Sequence, residues 1–302
     1  MNKNTGGIAT VGTPSLDVST QFELARSEYQ RTKSIYRGIF VIGFAAAMAL
    51  SVYHTNFNLA DVFDGIPRTS EFVIKMYSAL SWDNFWADLK DWYWGFADWV
   101  DSLIVSLLMA FLATFLGTVF GGSLSFLASR NLAKNYGIYF VTRRILEIAR
   151  TVPDIVWALI FIYPFGIGPL AGILALIIHT TGAQGKLFAE VNENIDHKPI
   201  DGIRASGGNW FEEIRFAVVP QVMPNFISYT FWRLALNVQA ATVMGFVGAG
   251  GIGHELITAV KLLYFLDTGA ILLMIIATVS VIDMASEKLR HHIIGKETMI
   301  GG

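Results

Sequence analysis

An apolar run from Leu103 to Leu127 that contains no charged residue constrains this chain more than any other feature. A helix needs roughly 20 predominantly apolar residues to cross the hydrocarbon core of a bilayer. Shorter apolar runs occur in the buried helices of soluble domains, but a run of this length is typical of a transmembrane helix. The segment therefore predicts that the chain crosses a membrane.

Five further apolar stretches predict membrane-spanning helices: 35–53, 145–165, 170–188, 218–247 and 268–285. The stretch 145–165 is the weakest, because Glu147 and Arg150 interrupt its first half and Pro153 should bend it. Glu147 is expected to pair with Arg150 or Arg143 within one helical turn. Only 15% of the residues are charged, against roughly 25% in soluble domains. The predicted fold is all-α: a polytopic membrane protein with six transmembrane helices.

The distribution of charge predicts the orientation, because Lys and Arg favour the cytoplasmic ends of membrane spans. Basic residues cluster before the first predicted span, after the second and after the sixth, whereas acidic residues outnumber basic ones in 54–99. We therefore expect the segments 1–34 and 286–302 to be cytoplasmic. The connection 54–99, which follows the first transmembrane helix at 35–53, is expected to be external.

The external connection is rich in tryptophan towards its end. Apolar positions recur at helical spacing from Trp82 to Val100, with acidic residues between them, which predicts one amphipathic helix. Aromatic rings favour the membrane–water interface, so this helix is expected to lie on the outer leaflet. A docking surface for an external partner is the alternative.

Charge and composition exclude several functional classes. The formal net charge of −2 argues against a nucleic-acid partner. The chain has no cysteine, which excludes disulfides, thiol catalysis and thiolate metal sites. Its histidines form no converging ligand set, so no metal site is predicted. No G-x-x-x-x-G-K-[ST] sequence occurs, so the chain itself is not expected to bind ATP or another cofactor.

A glycine-rich stretch follows the fifth predicted span. Gly248, Gly250 and Gly253 match the G-x-G-x-x-G spelling of a dinucleotide-binding loop. That loop works only between a β-strand and a helix, where its amides face the pyrophosphate. Because a membrane helix precedes these glycines, we interpret them as a flexible, closely packed re-entrant turn at the outer end of the span.

The connection after the fourth predicted span, residues 196–224, combines a helix break with strong capping signals. Pro199 suits the first turn of a short helix, and the Gly207–Gly208 pair should end that helix, because glycine allows a positive φ. Asn209 can cap a second helix, with Glu212 completing a capping box. Two short helices at an angle are predicted, although an ordinary well-capped loop would carry the same signals.

This segment resembles the conserved cytoplasmic loop of bacterial ABC importer permeases, whose pattern is Glu-Ala-Ala, three residues, Gly, nine residues, and Ile-x-Leu-Pro. Asp201 stands in place of the glutamate, Gly202 and Ile203 replace the alanines, and Gly207 and Pro220 match the glycine and the proline. In that family the loop forms a coupling helix that sits in a groove of the ATPase subunit. The resemblance implies that the loop 196–216 and the proline after it couple to an ATPase through these residues: Asp201, Gly202, Arg204, Gly207, Gly208, Trp210, Glu212 and Pro220.

Two further stretches, 166–190 and 218–255, resemble the phosphonate-type subfamily of these permeases. Together the similar regions cover residues 100–285. The subfamily usually has an acidic residue and a second basic residue where this chain has Ala235 and Gln239. The resemblance therefore implies the transport class more firmly than the individual solute.

The resemblance also implies an architecture and partners. The core at 100–285 would be that of a type I ABC importer permease, with the helix at 35–53 as one extra N-terminal helix. Two copies of the chain would form the pathway in the bacterial inner membrane, and two partner ATPase subunits would bind ATP and Mg²⁺. An external binding protein would deliver the solute, which would be an organophosphonate, phosphate or phosphite.

Polar side chains inside or beside the predicted spans are the candidates for the pathway: Asp154, His179, Arg233, Asn237 and Gln239. Such groups are costly at this depth and usually face the bundle interior or a wet cavity. Arg233 and Asn237 lie one helical turn apart and could either line a pathway or hold helices together. In the second case, Asp154 or Asp283 would be the partner of Arg233.

Two other functional classes remain open from the residues alone. A passive channel would use the same polar residues but would not need a capped helix pair on the cytoplasmic side. An intramembrane enzyme could be built on His179 and Asp154, but the chain lacks a paired metal motif such as H-E-x-x-H and a nucleophile arrangement. A non-catalytic transport subunit is therefore the predicted class.

Overall fold

The computed structural model describes residues 18–81 and 83–300, with side chains for 20, 22, 23, 26–81 and 83–290. These residues form helices, and no strand occurs among them. The all-α prediction is therefore confirmed. The chain divides into two compact units, Met1–Thr69 and Ser70–Gly302, and the boundary falls within the second helix.

The first unit contains helix α1, Val18–Thr55, and the beginning of α2, Leu59–Tyr77. The α1 helix ends where Asn56 adopts a left-handed conformation with φ 49°, which lets the Phe57 N–H bond back to the last turns of α1. Sequence analysis predicted no helix at the position of α2. Its pattern is amphipathic, but Pro67 inside the helix weakens the helical signal.

The second unit begins with the end of α2, and α3, Phe85–Trp92, follows it. After a short turn comes α4, Phe96–Leu127. The prediction of one continuous amphipathic helix from 82 to 100 is therefore wrong. Trp82 lies outside the described residues. The remaining helices are α5, Tyr136–Thr151; α6, Asp154–Phe165; α7, Pro169–Glu193; α8, Lys198–Ala205; α9, Trp210–Glu212; α10, Val219–Met244; α11, Ile252–Lys261; and α12, Phe265–Ile300.

The turn between α3 and α4 is held by contacts with the start of α12. The indole N–H of Trp92 donates to the Leu266 carbonyl at 2.8 Å, and that of Trp94 donates to Asp267 at 3.0 Å. Trp94 is nevertheless 71% exposed. These bonds join residues far apart in the sequence, so the helical spacing of the aromatic residues could not reveal the turn.

Helices α4, α7 and α10 form the centre of the second unit. Small residues bring α4 and α7 close together: a Cβ at Gly121 would lie 2.9 Å from the Gly185 amide, and one at Gly117 would overlap Thr180. Close approach through small residues is common between membrane helices, because lipid is as apolar as the side chains. Buried side chains of the three helices complete this core: Met109, Ala110, Ala113, Ala175, Leu176, Val238 and Ala241.

Within the described residues, three helices are long and apolar enough to cross a membrane: Arg26–Thr55, Phe96–Leu127 and Phe265–Arg290. A fourth crossing results if Trp210–Val247 and Ile252–Lys261, which meet at 46°, are counted as one broken span. The weak stretch 145–165 is broken before α6, as Pro153 predicts, and 170–188 lies within α7. The polytopic fold is confirmed, and the number of six crossings stays a prediction.

The glycine-rich stretch forms the turn between α10 and α11. Gly248, Gly250 and Gly251 have φ values of 84°, 77° and 70°, a region that side chains rarely adopt. Gly253 lies against the Thr242 carbonyl, so a side chain there would overlap backbone. The predicted close packing is confirmed. A helix precedes the stretch, whereas a dinucleotide-binding loop follows a β-strand.

Candidate functional site

Helix α8 ends in a tight turn at the glycine pair. Gly207 has φ 84°. Its N–H bonds the Arg204 carbonyl at 3.0 Å, and the Gly208 N–H bonds the Ile203 carbonyl at 2.9 Å. This pattern is a Schellman motif, which ends a helix with a residue in the left-handed region. The break predicted from the sequence is confirmed, and Pro199 lies in the first turn of α8.

Asn209 starts the next helix through a capping box. Its side-chain oxygen accepts hydrogen bonds from the N–H groups of Phe211 at 3.0 Å and Glu212 at 3.2 Å. Glu212 accepts in return from the Asn209 N–H at 2.6 Å. Such reciprocal bonds satisfy donors that the start of a helix otherwise leaves free. The predicted capping box is confirmed, and it fixes the direction in which α9 leaves the turn.

An ion pair bridges the two sides of the turn. The Arg204 guanidinium donates through Nε and Nη2 to the two carboxylate oxygens of Glu213, at 2.8 and 3.0 Å. Glu213 is the first residue of a π-helical turn, Glu213–Val218, that joins α9 to α10, and its hydrogen bonds raise the pKa of Arg204. Paired forks constrain orientation as well as distance. Sequence analysis missed Glu213, because a separation of nine residues is not a helical spacing.

The turn packs against the ends of α4, α7 and α10. Ile200 of α8 and Val218 of the π-helical turn belong to one buried cluster with Phe188 of α7. On the other side, the Trp210 indole donates to the Leu132 carbonyl, just after α4, at 2.7 Å. Close-packed interiors transmit displacement. A force applied to α8 would therefore reach the ends of three helices in the centre of the unit.

The outer face of the turn presents most of the predicted coupling residues. Exposed positions among them are Asp201, Gly202, Arg204, Gly207, Glu212 and Pro220. Gly208 and Trp210 are half-buried. Phe211 and Phe216, which were not predicted, are 72% and 60% exposed. Large apolar side chains exposed beside charged groups are typical of protein-interaction surfaces.

A second candidate site is a buried polar cluster in the middle of the second unit. Arg233 of α10 is 9% exposed. Its Nη2 lies 2.5 Å from Nδ1 of His179, and its Nε donates to Thr180 at 3.4 Å. A guanidinium has only donors, so Nδ1 of His179 is the acceptor of this hydrogen bond and carries no proton. The partners of this arginine are therefore neutral groups.

Neither predicted carboxylate partner forms an ion pair with Arg233. In the part of the chain that the structure describes, no acidic side chain lies within salt-bridge distance of it. The carboxylate of Asp154, at the start of α6, accepts instead from the Ile155 N–H. Asp283 lines a separate cavity of about 230 Å³ beside Trp232.

Asn237 lies one turn further along α10 and holds helices together. It is 1% exposed, and its Nδ2 donates to Thr114 of α4 at 2.8 Å and to Thr180 of α7 at 2.9 Å. Thr180 thus links Asn237 to Arg233. Gln239, in contrast, is exposed and is not part of this network. Of the five predicted pathway residues, His179 and Arg233 are in contact, and Asn237 joins them through Thr180.

The charged side chains at the start of the stretch 145–165 form other ion pairs than the predicted ones. Glu147 bonds Arg144 at 2.7 Å and a lysine of α7 at 3.5 Å. Arg143 pairs instead with Glu193 at 2.9 Å. The expected pairing of Glu147 with Arg143 or Arg150 is wrong, because α7 and the preceding helical turn supply nearer partners. The sequence could not show which face of α5 meets α7.

Residues 121–287 match the family model described as binding-protein-dependent transport system inner membrane component. The matched range covers more than half of the chain and includes the α8 turn and, apart from Thr114, the buried cluster. The chain belongs to this family. It is therefore the membrane permease of a binding-protein-dependent ABC importer, and its relatives are transport proteins.

Curated relatives agree with this assignment. The permease is 39% identical to the phosphite transport system permease protein PtxC of Stutzerimonas stutzeri, over 66% of this chain and 72% of the relative. It is 33% identical to the putative phosphite transport system permease protein HtxC of the same species, over 82% and 83%. It is 51% identical to the putative cryptic phosphonate transport system permease protein PhnE2 of Escherichia coli K12, over 40% of this chain and 100% of the relative.

A solved structure supports the fold. An inward-facing conformation of the MetNI methionine ABC transporter matches the permease with a TM-score of 0.56 and 23% identity, over 65% of this chain and 95% of that chain. At this identity the similarity concerns the fold alone. The architecture is that of a type I ABC importer permease, as predicted.

Proposed function

We propose that the permease imports a phosphorus oxyanion, namely a phosphonate, phosphite or phosphate, across the bacterial inner membrane. The names of the relatives, two phosphite permeases and one phosphonate permease, support this substrate class. These solutes share a tetrahedral centre with several anionic oxygens. A pathway for them needs a cation or oriented donors, and the planar fork of an arginine suits such oxygens.

The observation that carries this proposal is that the buried Arg233 has no carboxylate within ion-pairing distance among the described residues. Its guanidinium is buried and bonded by neutral groups, His179 and Thr180, and a guanidinium keeps its charge when buried. A charge within a span costs at least about 2.5–3.5 kcal/mol, which an anion in transit would offset. Asp154, His179 and Asn237 would then position the arginine. Gln239 is exposed, so it would contact the solute only if the pathway runs along its side of α10.

Coupling to a partner ATPase is the second part of the proposal. The α8 turn combines an exposed charged and apolar face with a close-packed connection to α4, α7 and α10. The ATPase would bind ATP and Mg²⁺ and would move the turn, and the helix ends would transmit the movement to the pathway. Two copies of the permease, two ATPase subunits and an external binding protein would form the complete importer.

Orientation follows from this coupling, because the α8 turn must face the cytoplasm where ATP is available. Both chain termini would then be cytoplasmic, and the segment around α3 would be external. Since the chain has no cysteine, single cysteines can be labelled selectively. In intact cells an impermeant maleimide should label Ser78→Cys and not Ser206→Cys. Labelling of Ser206→Cys alone would invert the proposed orientation.

Two alternatives predict different behaviour. A passive channel would conduct without ATP and would not need the mounted α8 turn. An intramembrane enzyme built on His179 and Asp154 would need a reacting pair, but Nδ1 of His179 already accepts a hydrogen bond from Arg233.

The test is uptake by liposomes that contain the permease, its ATPase and its binding protein. We expect uptake of radiolabelled phosphite, phosphate or methylphosphonate that requires ATP and the binding protein. Unlabelled phosphorus oxyanions should compete, whereas methionine should not. Uptake that proceeds equally without ATP would favour the channel, and ATP-dependent uptake that phosphorus oxyanions do not inhibit would contradict the substrate class.

A further inference from the structure

Helix α2 carries a row of exposed apolar side chains. Six of them are between 45% and 67% exposed: Leu59, Val62, Phe63, Ile66, Val73 and Ile74. They recur three, four and seven residues apart, so they lie on one side of the helix. A soluble helix would bury such a surface against a core.

The opposite side of α2 is charged. Its members are all exposed: Asp61, Asp64, Arg68, Glu71 and Lys75. Glu71 and Lys75 pair within the helix at 2.8 Å. The helix thus separates an apolar side from a charged side along its whole length, which is typical of a helix that lies in the plane of a membrane interface.

The connections of α2 hold it near the end of a membrane span. The apolar helix Arg26–Thr55 ends only four steps before Leu59, so the two ends can be at most about 14 Å apart. The turn between them is ordered: the Phe57 N–H bonds the Val52 carbonyl at 3.2 Å, and Asn58 accepts from the Ala60 N–H at 3.0 Å. The start of α2 therefore cannot move far from the bilayer surface.

The other end of α2 meets a second span. The Phe72 ring packs edge-on against Phe265 at 5.5 Å between centroids, and a Cβ at Gly269 would overlap the backbone of Met76. Phe265 and Gly269 belong to the first turns of α12, which is long and apolar enough to cross a membrane. Within the second unit, the end of α2 is therefore held against the start of an apolar span.

We propose that α2 is an interfacial helix, whose apolar side is buried in the lipid and whose charged side faces water. The occupant of the apolar surface is thus the bilayer itself. Acidic and basic residues are mixed on the charged side, so burial of apolar area and not attraction to anionic lipid would hold the helix. The inference depends on the chain spanning a membrane and not on which solute it carries.

Fluorescence quenching in liposomes tests this placement. A bimane label is attached to the full-length permease at Phe63→Cys or Ile74→Cys on the apolar side, with Asp64→Cys and Glu71→Cys as matched controls on the charged side. The liposomes contain phosphatidylcholine with brominated acyl chains. Because an interfacial helix buries its apolar side roughly 5–10 Å into the lipid, we expect the bromines to quench the apolar-side labels at least about twofold more than the controls. Aqueous iodide should give the reverse order.

Two results would overturn the proposal. If iodide quenches the labels on both sides equally, α2 stands in water. If neither bromine nor iodide reaches the labels at Phe63→Cys and Ile74→Cys, a protein surface such as a second copy covers the apolar side. Val62→Cys replaces either variant that does not assemble, because it lies on the same side of the helix.

Discussion

The α8 turn and the Arg233 cluster are built in opposite ways. The turn is specified by neighbours in sequence: the Schellman motif, the capping box and the Arg204–Glu213 pair all lie within residues 203–213. The cluster gathers side chains from α4, α7 and α10, for example Thr114 and Asn237, which are 123 residues apart. The turn has a fixed shape and an exposed face, whereas the cluster holds a buried charge and is partly exposed only at His179.

The two regions should therefore respond differently to substitutions. Substitutions in the turn should alter how a partner is engaged while the helix bundle remains stable. Substitutions in the cluster should alter either helix packing or the handling of an anion, depending on whether they touch Asn237 or Arg233. The following predictions separate these effects.

The largest expected change in stability comes from Asn237→Ala. The substitution removes a buried amide that bonds Thr114 and Thr180 and leaves their hydroxyls short of a partner, which should destabilise the bundle by about 1–3 kcal/mol. Thermal unfolding of the solubilised permease should occur at a lower temperature. Gln239→Ala, at an exposed position of the same helix, is the control and should leave the unfolding temperature unchanged. Equal effects of both variants would refute the interhelical role.

Gly207→Val should impair coupling through the backbone alone. An added Cβ would meet no atom within 4 Å, but Gly207 has φ 84°, where a β-branched residue costs on the order of 1–3 kcal/mol. Uptake and solute-stimulated ATP hydrolysis should fall together. Gly207→Asn is the matched control, because asparagine tolerates the left-handed region. The backbone explanation fails if the two variants are equally impaired.

A smaller effect is expected from Glu213→Gln. Glu213 pairs with Arg204, whose side chain is half exposed. Loss of this ion pair should therefore cost about 1 kcal/mol or less. Solute-stimulated ATP hydrolysis should decrease by a few fold, and the double variant Arg204→Glu/Glu213→Arg should recover part of it. If the reversed pair recovers nothing, the contribution of Arg204 is a direct contact with the partner and not the alignment of the turn.

Local chemistry explains what the sequence predicted well. Gly207, Asn209 and Glu212 act on residues no more than five positions away, so their spacing is enough to predict the helix break and the cap. The apolar run at Leu103 and the break at Pro153 are equally local. Other contacts depend instead on which helix faces meet. They are the ion pairs of Glu147, the pair of Arg204 with Glu213, and the hydrogen bond that Arg233 donates to His179. Helix α2 was missed because Pro67 obscured an amphipathic pattern that its exposed side chains make clear.

The division of roles between the two regions is tested most directly by the number of oxyanions imported per ATP hydrolysed. In the Arg233→Gln variant, the loss of hydrogen bonds from a charged donor, about 1.5–3 kcal/mol, should lower this ratio at least about tenfold. Arg233→Lys should give an intermediate ratio, because it keeps the charge but not the planar fork. In both variants the intact α8 turn should still support ATP hydrolysis by the assembled complex. A wild-type ratio for Arg233→Gln would contradict the role of this arginine in the passage of the anion.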